Sequence, residues 1–332
     1  MRAPLFTLGD AADASYRNLR DGTGERLRRA RAHCEYLWLL FEHHADPEFL
    51  IELRGRFDAR HWEMYLTVSF ILAGYQVTCP KPGPDVGIIY RGRRVWFEAT
   101  SPTCGDPSSL DYITPPPSDG RAYDVPNEKI ILRYLNSISE KYDRQYANWL
   151  KKGIISDNDC FVIALNPRAI PFDIADTNPP RILQAAYTVG APYIEMSRET
   201  LKAVGSGYHF RDHIVKTPRE KPEQAANKKE PAKVSTGVFQ DKEHLGLSAL
   251  LCSRIDAASR HGEFGDDFQL VPNPHARAPL PEEFRLRGTY YAVETRQDGY
   301  DVTPTENDAP PHFRFDKTTP ESLVALTKQY RA

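Results

Sequence analysis

Residues 83–100 read GPDVGIIYRGRRVWFEAT, and they constrain the fold more than any other stretch of the chain. Two apolar runs rich in β-branched and aromatic residues flank the dipeptide Arg91-Gly92. Such runs favour strands, and a two-residue link containing glycine folds them into an antiparallel hairpin. A turn of that length fixes the register by counting: Tyr90 meets Arg93, Ile88 meets Val95, and Asp85 meets Glu98. Residues directly opposite one another carry Cβ atoms about 4.5–5.5 Å apart on one face. Two carboxylates that close repel unless a cation or a shared proton compensates. A hard divalent cation is the simplest compensation, because Mg²⁺ takes oxygen ligands and keeps several waters. Glu98 sits inside VWFEAT, an apolar strand in which a lone carboxylate would be costly. Asp85 follows Pro84 and has a structural alternative, since Asp commonly closes turns.

The segments around this hairpin predict an α/β arrangement. Residues 24–45 have the apolar spacing of a helix, with Leu27, Ala30, Cys34, Leu37, Trp38 and Phe41 on one stripe. A second helix starts at Asp58, read as its N-cap, and ends at Gly74. Strands are expected over 75–79, 85–90 and 94–100, then a long Pro- and Gly-rich loop over 101–125. A third helix spans 127–152, with Ile131, Tyr134, Leu135, Ile138, Tyr142 and Trp149 facing inward, and a buried strand follows at 160–165. Residues 1–57 are an N-terminal helical extension and 58–166 the core. Residues 167–332 are a C-terminal extension, with strands at 208–216, 248–255 and 268–272, expected to continue the same sheet. A helix is expected within 181–204, and the polar stretch 217–233 reads as a mobile loop.

Pro84-Asp85 and Glu98, on this hairpin and in the order helix, three strands, helix, strand, resemble the PD-(D/E)xK phosphodiesterase superfamily. The resemblance covers roughly residues 58–166. It implies a restriction-endonuclease-like core and a Mg²⁺- or Mn²⁺-dependent nuclease acting on nucleic acid, with DNA the expected substrate. It also implies that Asp85, Glu98 and the carbonyl of Ala99 hold the metal, with Glu63 of the preceding helix beside them. "FDARHWEMYL", "FEATSP" and "LRYLNSISEK" are further similar to an uncharacterised bacterial branch of that superfamily. The family lysine two residues after the acidic residue is Thr100 here.

Thr100 carries no charge, so another element must supply the cation. Arg133, Ser137 and Lys141 recur every four positions along the third helix and form a polar strip beside its apolar stripe. Lys141 is the expected replacement and Arg133 the expected phosphate clamp, because a guanidinium grips phosphate oxygens in a fork. Arg91, Arg93 and Arg94 on the hairpin, with Lys129 and Arg144 on the helix, are expected to guide a nucleic-acid backbone.

The net charge of −2 does not announce a nucleic-acid binder, so any binding must rest on a local basic groove. A catalytically inactive nucleic-acid-binding or assembly module on the same core is the main alternative. Chemistry on a small phosphate ester is a third. The chain has no P-loop, dinucleotide-binding or G-x-S-x-G signature. His209 and His213 are four apart, but in a strand that spacing separates them. Asn166, Asn273 and His275 follow expected strands and read as turn residues. Five scattered cysteines fit a reducing cytoplasm, and no apolar run is long enough to span a membrane.

Overall fold

Arg91 and Gly92 both adopt positive φ, 47° and 78°, as a type I′ turn requires. The computed structural model describes residues 3–216, 232–240, 242–259, 263–295 and 300–307. On either side of the turn run β2 (Val86–Tyr90) and β3 (Arg93–Thr100), preceded by β1 (Val77–Thr78). The pairs Tyr90–Arg93, Ile88–Val95 and Val86–Phe97 match the counted register. One further step places Asp85 opposite Glu98. The first strand is shorter than expected, because Pro80 and Pro82 follow it and have no N–H to give a ladder.

From β3 the sheet continues through parallel β4 (Cys160–Leu165), with Thr100 paired to Leu165. Two short hairpins stand apart from it. They are β5 (Val189–Met196) with β6 (Ala203–Phe210), and β7 (His213–Val215) with β8 (Lys233–Ser235). The main sheet then resumes with β9 (Ala249–Cys252), β10 (Gln269–Pro272), β11 (Gly288–Thr295) and β12 (Tyr300–Asn307). Among the described residues it has eight strands in the order β1-β2-β3-β4-β9-β10-β11-β12. The expected mobile loop over 217–233 lies outside the described residues, apart from 232 and 233.

Side-chain alternation divides the sheet between two helical layers. Val95, Phe97 and Ala99 join Val162 and Ala164 under the N-terminal helices. Those are α1 (Ala14–Asp21), α2 (Glu25–Phe41), α3 (Phe49–Leu53) and α4 (Phe57–Leu72). Trp96 joins Phe161, Ile163 and Leu165 on the other face. There they pack against α5 (Asn127–Glu140) and α7 (Arg181–Ala186), with α6 (Ala147–Lys151) between these two in sequence. The fold is therefore α/β, with a mixed sheet between helices. The stretch before residue 58 shares the first of these cores with the central part, and the stretch after 166 shares both.

Two local expectations are corrected. Asp58 is not the N-cap of α4, which begins at Phe57. Asp13 caps both α1 and α4: its Oδ1 accepts from the Tyr16 N–H and its Oδ2 from the Phe57 N–H, each at 3.0 Å. With that role taken, Asp58 is left in the first turn, where burial pushes its carboxyl up to about 6. The third helix is also not continuous. A π-helical turn at Lys141–Tyr146 separates α5 from α6. Such a turn inserts a residue into the i→i+4 ladder and is invisible to a 3.6-residue periodicity.

The α5 face holds a polar cluster within its apolar layer. Asp173, 0% exposed, accepts from Tyr134 Oη at 2.6 Å, from Arg181 at 2.6 Å and from Arg254 at 3.1 Å. Asp176 accepts from Arg254 as well, so two aspartates offset two arginines. Removing one partner of a buried ion pair leaves the other charge uncompensated, at roughly 3–5 kcal/mol. Asp173→Ala should therefore shift the urea midpoint by a destabilisation of that size. A loss under about 1 kcal/mol, the scale of a surface pair, would show the cluster to be solvated.

Candidate metal centre

Asp85 and Glu98 sit on the α5 side of the sheet, at the end of the hairpin away from its turn. Asp85 is half-buried, and its Oδ2 accepts the Ala99 N–H at 2.7 Å. Glu98 is 3% exposed. Its Oε1 accepts from Lys141 Nζ at 2.6 Å, while its Oε2 is buried with no hydrogen-bond partner. An orphaned buried carboxylate oxygen is costly and asks for a ligand. Burial and the neighbouring Glu98 push the Asp85 carboxyl up to about 7, against the pull of Lys141, the Ala99 N–H and Lys81. Burial raises Glu98 too, and Lys141 together with the side chain and N–H of Asp85 only partly offsets this.

Lys141 opens the π-helical turn at the end of α5. Its stem crosses the helix flank and its ammonium meets the carboxylates, as long cationic side chains do when apolar surface lies beneath them. Burial works to lower its pKa, but Glu98 and Asp85 outweigh that and hold it above its ordinary value. The ammonium stays charged. It also donates to Gln145 Oε1 at 3.3 Å, and Gln145 has no counterpart among the residues singled out from sequence. Helical spacing from Lys141, four residues on, is the signal that could have found it.

Glu63 is close enough to Asp85 to be raised by it, but neither oxygen is free. Oε2 pairs with Arg60, and Oε1 lies 3.4 Å from Lys81. In the metal-free structure Glu63 is the buried counter-ion of two cations beside the carboxylate pair, with a carboxyl pushed up to about 7, chiefly by burial. Arg60 also pairs with Glu52 and Asp46, and Lys81 with Asp46. Lys81 also feels Asp85, so these carboxylates adjoin the Asp85–Glu98 pair in an acidic setting suited to a divalent ion.

The donor set fits such an ion. Thr100 O accepts from the Asn166 N–H on the β4 side. Carbonyls alternate along a strand, so the Ala99 carbonyl turns to the opposite edge, where Asp85 lies. Two carboxylates and a carbonyl are hard oxygen donors, and Mg²⁺ commonly takes one or two carboxylates and completes its shell with water. Among the described residues no group of three or more His, Cys, Asp or Glu side chains gathers at one point. A metal here would rest on two.

The expected backbone contacts are placed differently. Arg133 does not reach the carboxylates. It pairs with Asp111 at 3.2 Å and donates to Thr103 O at 2.9 Å, fastening the 101–125 loop to α5. Lys129 does the same through Tyr112 O. Arg91 pairs with Glu283, and Arg94 lies over the Trp96 ring. Arg91 and Arg93 sit at the turn, five residues up the ladder from Glu98, or about 17 Å at strand rise. They are too far away to touch a phosphate held at the carboxylates. Arg144 is exposed. Asn166 and Asn273 are turn residues, accepting the N–H groups of Arg168 and His275, while His209 and His213 fall on separate strands.

No family model matches this chain, and neither a curated protein nor a solved structure matches it. Among the described residues no helix is long and apolar enough to cross a membrane.

Proposed function

We propose that the chain is a Mg²⁺- or Mn²⁺-dependent nuclease, hydrolysing phosphodiesters of nucleic acid, with DNA the expected substrate, on a PD-(D/E)xK-type core. One observation carries the reading. Asp85 and Glu98 face each other at a hairpin end, Glu98 keeps a buried oxygen without a hydrogen-bond donor, and the Lys141 ammonium from another element lies 2.6 Å from its other oxygen. The element order from Phe57 to Leu165 supports the core assignment. The five free cysteines accord with a cytoplasmic location.

In this reading Asp85, Glu98 and the Ala99 carbonyl hold the metal. A bound divalent ion supplies an activated water and offsets charge on the phosphate. The Ala99 N–H fixes the Asp85 carboxylate, so one oxygen is oriented before any ligand arrives. Gln145 positions the Lys141 ammonium at Glu98. Lys141 orients the attacking water and stabilises the developing oxyanion charge. Glu63 holds Lys81 at the rim.

The test is a panel of DNA and RNA substrates with Mg²⁺, Mn²⁺ or EDTA, comparing wild type with Glu98→Ala and Asp85→Ala. Metal-dependent cleavage lost in both variants is the expected result. A wild-type protein that binds neither metal would favour the non-catalytic module. The direct Lys141–Glu98 ion pair, which satisfies part of the site without a metal, is the observation on that side.

A further inference from the structure

We propose that the hairpin of β5 and β6 packs against the same hairpin of a second copy of this chain, so that the protein is a two-fold dimer in solution. Such a dimer forms whether or not the chain cleaves nucleic acid.

The hairpin follows α7 and stands apart from the main sheet. Among the described residues β5 and β6 pair only with each other. A two-stranded hairpin is marginal in water unless a further layer covers one of its faces. Here the two faces differ. Pro192 pairs with Tyr208 and Ile194 with Ser206, and side chains alternate along each strand, so Ile194, Met196, Val204, Tyr208 and Phe210 fall on one side. Between the pairs Glu195–Gly205 and Met196–Ala203 the register shifts by one residue, a bulge at Val204 that keeps this side apolar up to the tip. All five side chains are exposed, Ile194 at 67% and Phe210 at 75%. Tyr208 Oη donates to Asn178 Oδ1 at 3.2 Å and ties the base of the hairpin to the loop before α7.

The opposite face is already filled. Tyr193 lies across Gly207, where an added Cβ would come within 2.6 Å of its hydroxyl, and its ring meets His209 with centroids 5.1 Å apart. The Glu195 carboxylate lies over Gly205 in the same way.

A second copy is the occupant this surface fits. Five side chains exposed to this degree present about 100 Å² each, or roughly 500 Å² in one patch, as much as a monomer ordinarily leaves uncovered. Stacking two copies face to face removes about 1,000 Å² from these side chains alone, the scale at which a specific interface begins. It also turns two marginal hairpins into a four-stranded sandwich in which each supplies the layer the other lacks. Charge permits the pairing. The tip carries Glu195 and Glu199 with Arg198 and Lys202, two of each sign, and a two-fold axis lets each meet its opposite. A phosphate backbone asks for a basic face and an anionic lipid surface for a basic rim, whereas this rim is balanced.

The experiment is sedimentation velocity of the full chain from about 1 to 100 µM, wild type against variants of the hairpin face. Wild type should pass from monomer to dimer with a dissociation constant on the order of micromolar, as small interfaces do. Ile194→Asp and Phe210→Asp should each weaken dimerisation about thirtyfold or more, the loss of a central contact. Val204→Ser, which removes apolar area without adding charge, should weaken it about fivefold. Ile51→Asp, at an equally exposed apolar residue on α3, should leave it unchanged. Each of these residues is exposed in the single chain, so circular dichroism should show one fold throughout. The melting temperature of wild type should rise with protein concentration, and that of Ile194→Asp should not. A wild type that stays monomeric to the highest concentration overturns the proposal, including one that sediments with lipid vesicles instead. Dimers that survive both aspartate substitutions on the hairpin overturn it as well, because the contact then lies elsewhere.

Discussion

Lys141→Met should cleave nucleic acid about a hundred- to a thousandfold more slowly than wild type, the range for losing one group that stabilises developing charge, and should bind Mn²⁺ more tightly. The two effects have one origin. In the metal-free protein Lys141 Nζ lies 2.6 Å from Glu98 Oε1 and lends its charge to Asp85 as well. It acts as an internal counter-ion for the oxygens a metal would use. An incoming cation must displace it or share Glu98 with it, and either raises the dissociation constant. Methionine keeps the stem's volume and polarizable body and drops the charge. Without metal, the variant leaves Glu98 buried and unpaired, so it should unfold at lower urea than wild type at neutral pH. Mn²⁺ should then restore more stability to Lys141→Met than to wild type. A purely structural lysine predicts the destabilisation without tighter metal binding. Isothermal titration with Mn²⁺, together with single-turnover cleavage, separates the cases. Wild-type cleavage rates in the variant, or weaker Mn²⁺ binding, would remove Lys141 from the site.

The parts of this site that were legible in the sequence are those governed by short, rigid rules. A two-residue turn at Arg91-Gly92 leaves a single register, so the opposition of Asp85 and Glu98 could be counted without a structure. Lys141 was reachable because four-residue spacing keeps side chains on one strip of a helix, although the π-helical turn that begins there was not. The misplacements come from partners that no periodicity reveals. Arg133 was read as a phosphate clamp because Asp111, which captures it, lies in an irregular loop. The pairing of Glu63 with Lys81 was not legible because Lys81 arrives from the turn before Asp85. The cap of α4 comes from Asp13, more than forty residues upstream. The hairpin of β5 and β6 and the strands β11 and β12 escaped for another reason. Ile194, Met196, Val204 and Phe210 are exposed, so the apolar alternation on which a strand assignment depends does not report burial there.

The metal-free protein should lose stability as pH rises from about 5 to about 8, and Mn²⁺ should reverse that trend. The sign follows from Asp85. An aspartate in an unfolded chain ionises near its ordinary value of 3.8, whereas in the fold burial and Glu98 push this carboxyl up to about 7. Between those values the folded state holds a proton that the unfolded state has released. Stability then falls with rising pH, because the slope follows the protons bound by the unfolded state minus those bound by the native state. The contribution is fully present below about 4 and gone once pH passes about 7. Glu63, also pushed up to about 7, acts in the same direction. As Asp85 ionises near pH 7 it meets the repulsion of Glu98, which a divalent ion relieves. Metal binding must expel the proton on Asp85, so it should strengthen across the same window and release protons to the buffer. At a hundred times its dissociation constant, Mn²⁺ should add about 2.7 kcal/mol, or roughly 4 °C of melting temperature for a chain of this size. Asp85→Asn cannot ionise, and it should abolish the metal-dependent gain and reduce the pH slope to the shares of Glu63, Glu98 and Asp58. Glu63→Gln should do the converse, keeping the Mn²⁺ response while reducing the slope. Thermal melts at pH 5, 6, 7 and 8, with and without Mn²⁺, measure all three proteins. Equal Mn²⁺ shifts in wild type and Asp85→Asn would place the metal elsewhere. A pH slope unchanged in Asp85→Asn would show that this carboxyl titrates as it does in the unfolded chain.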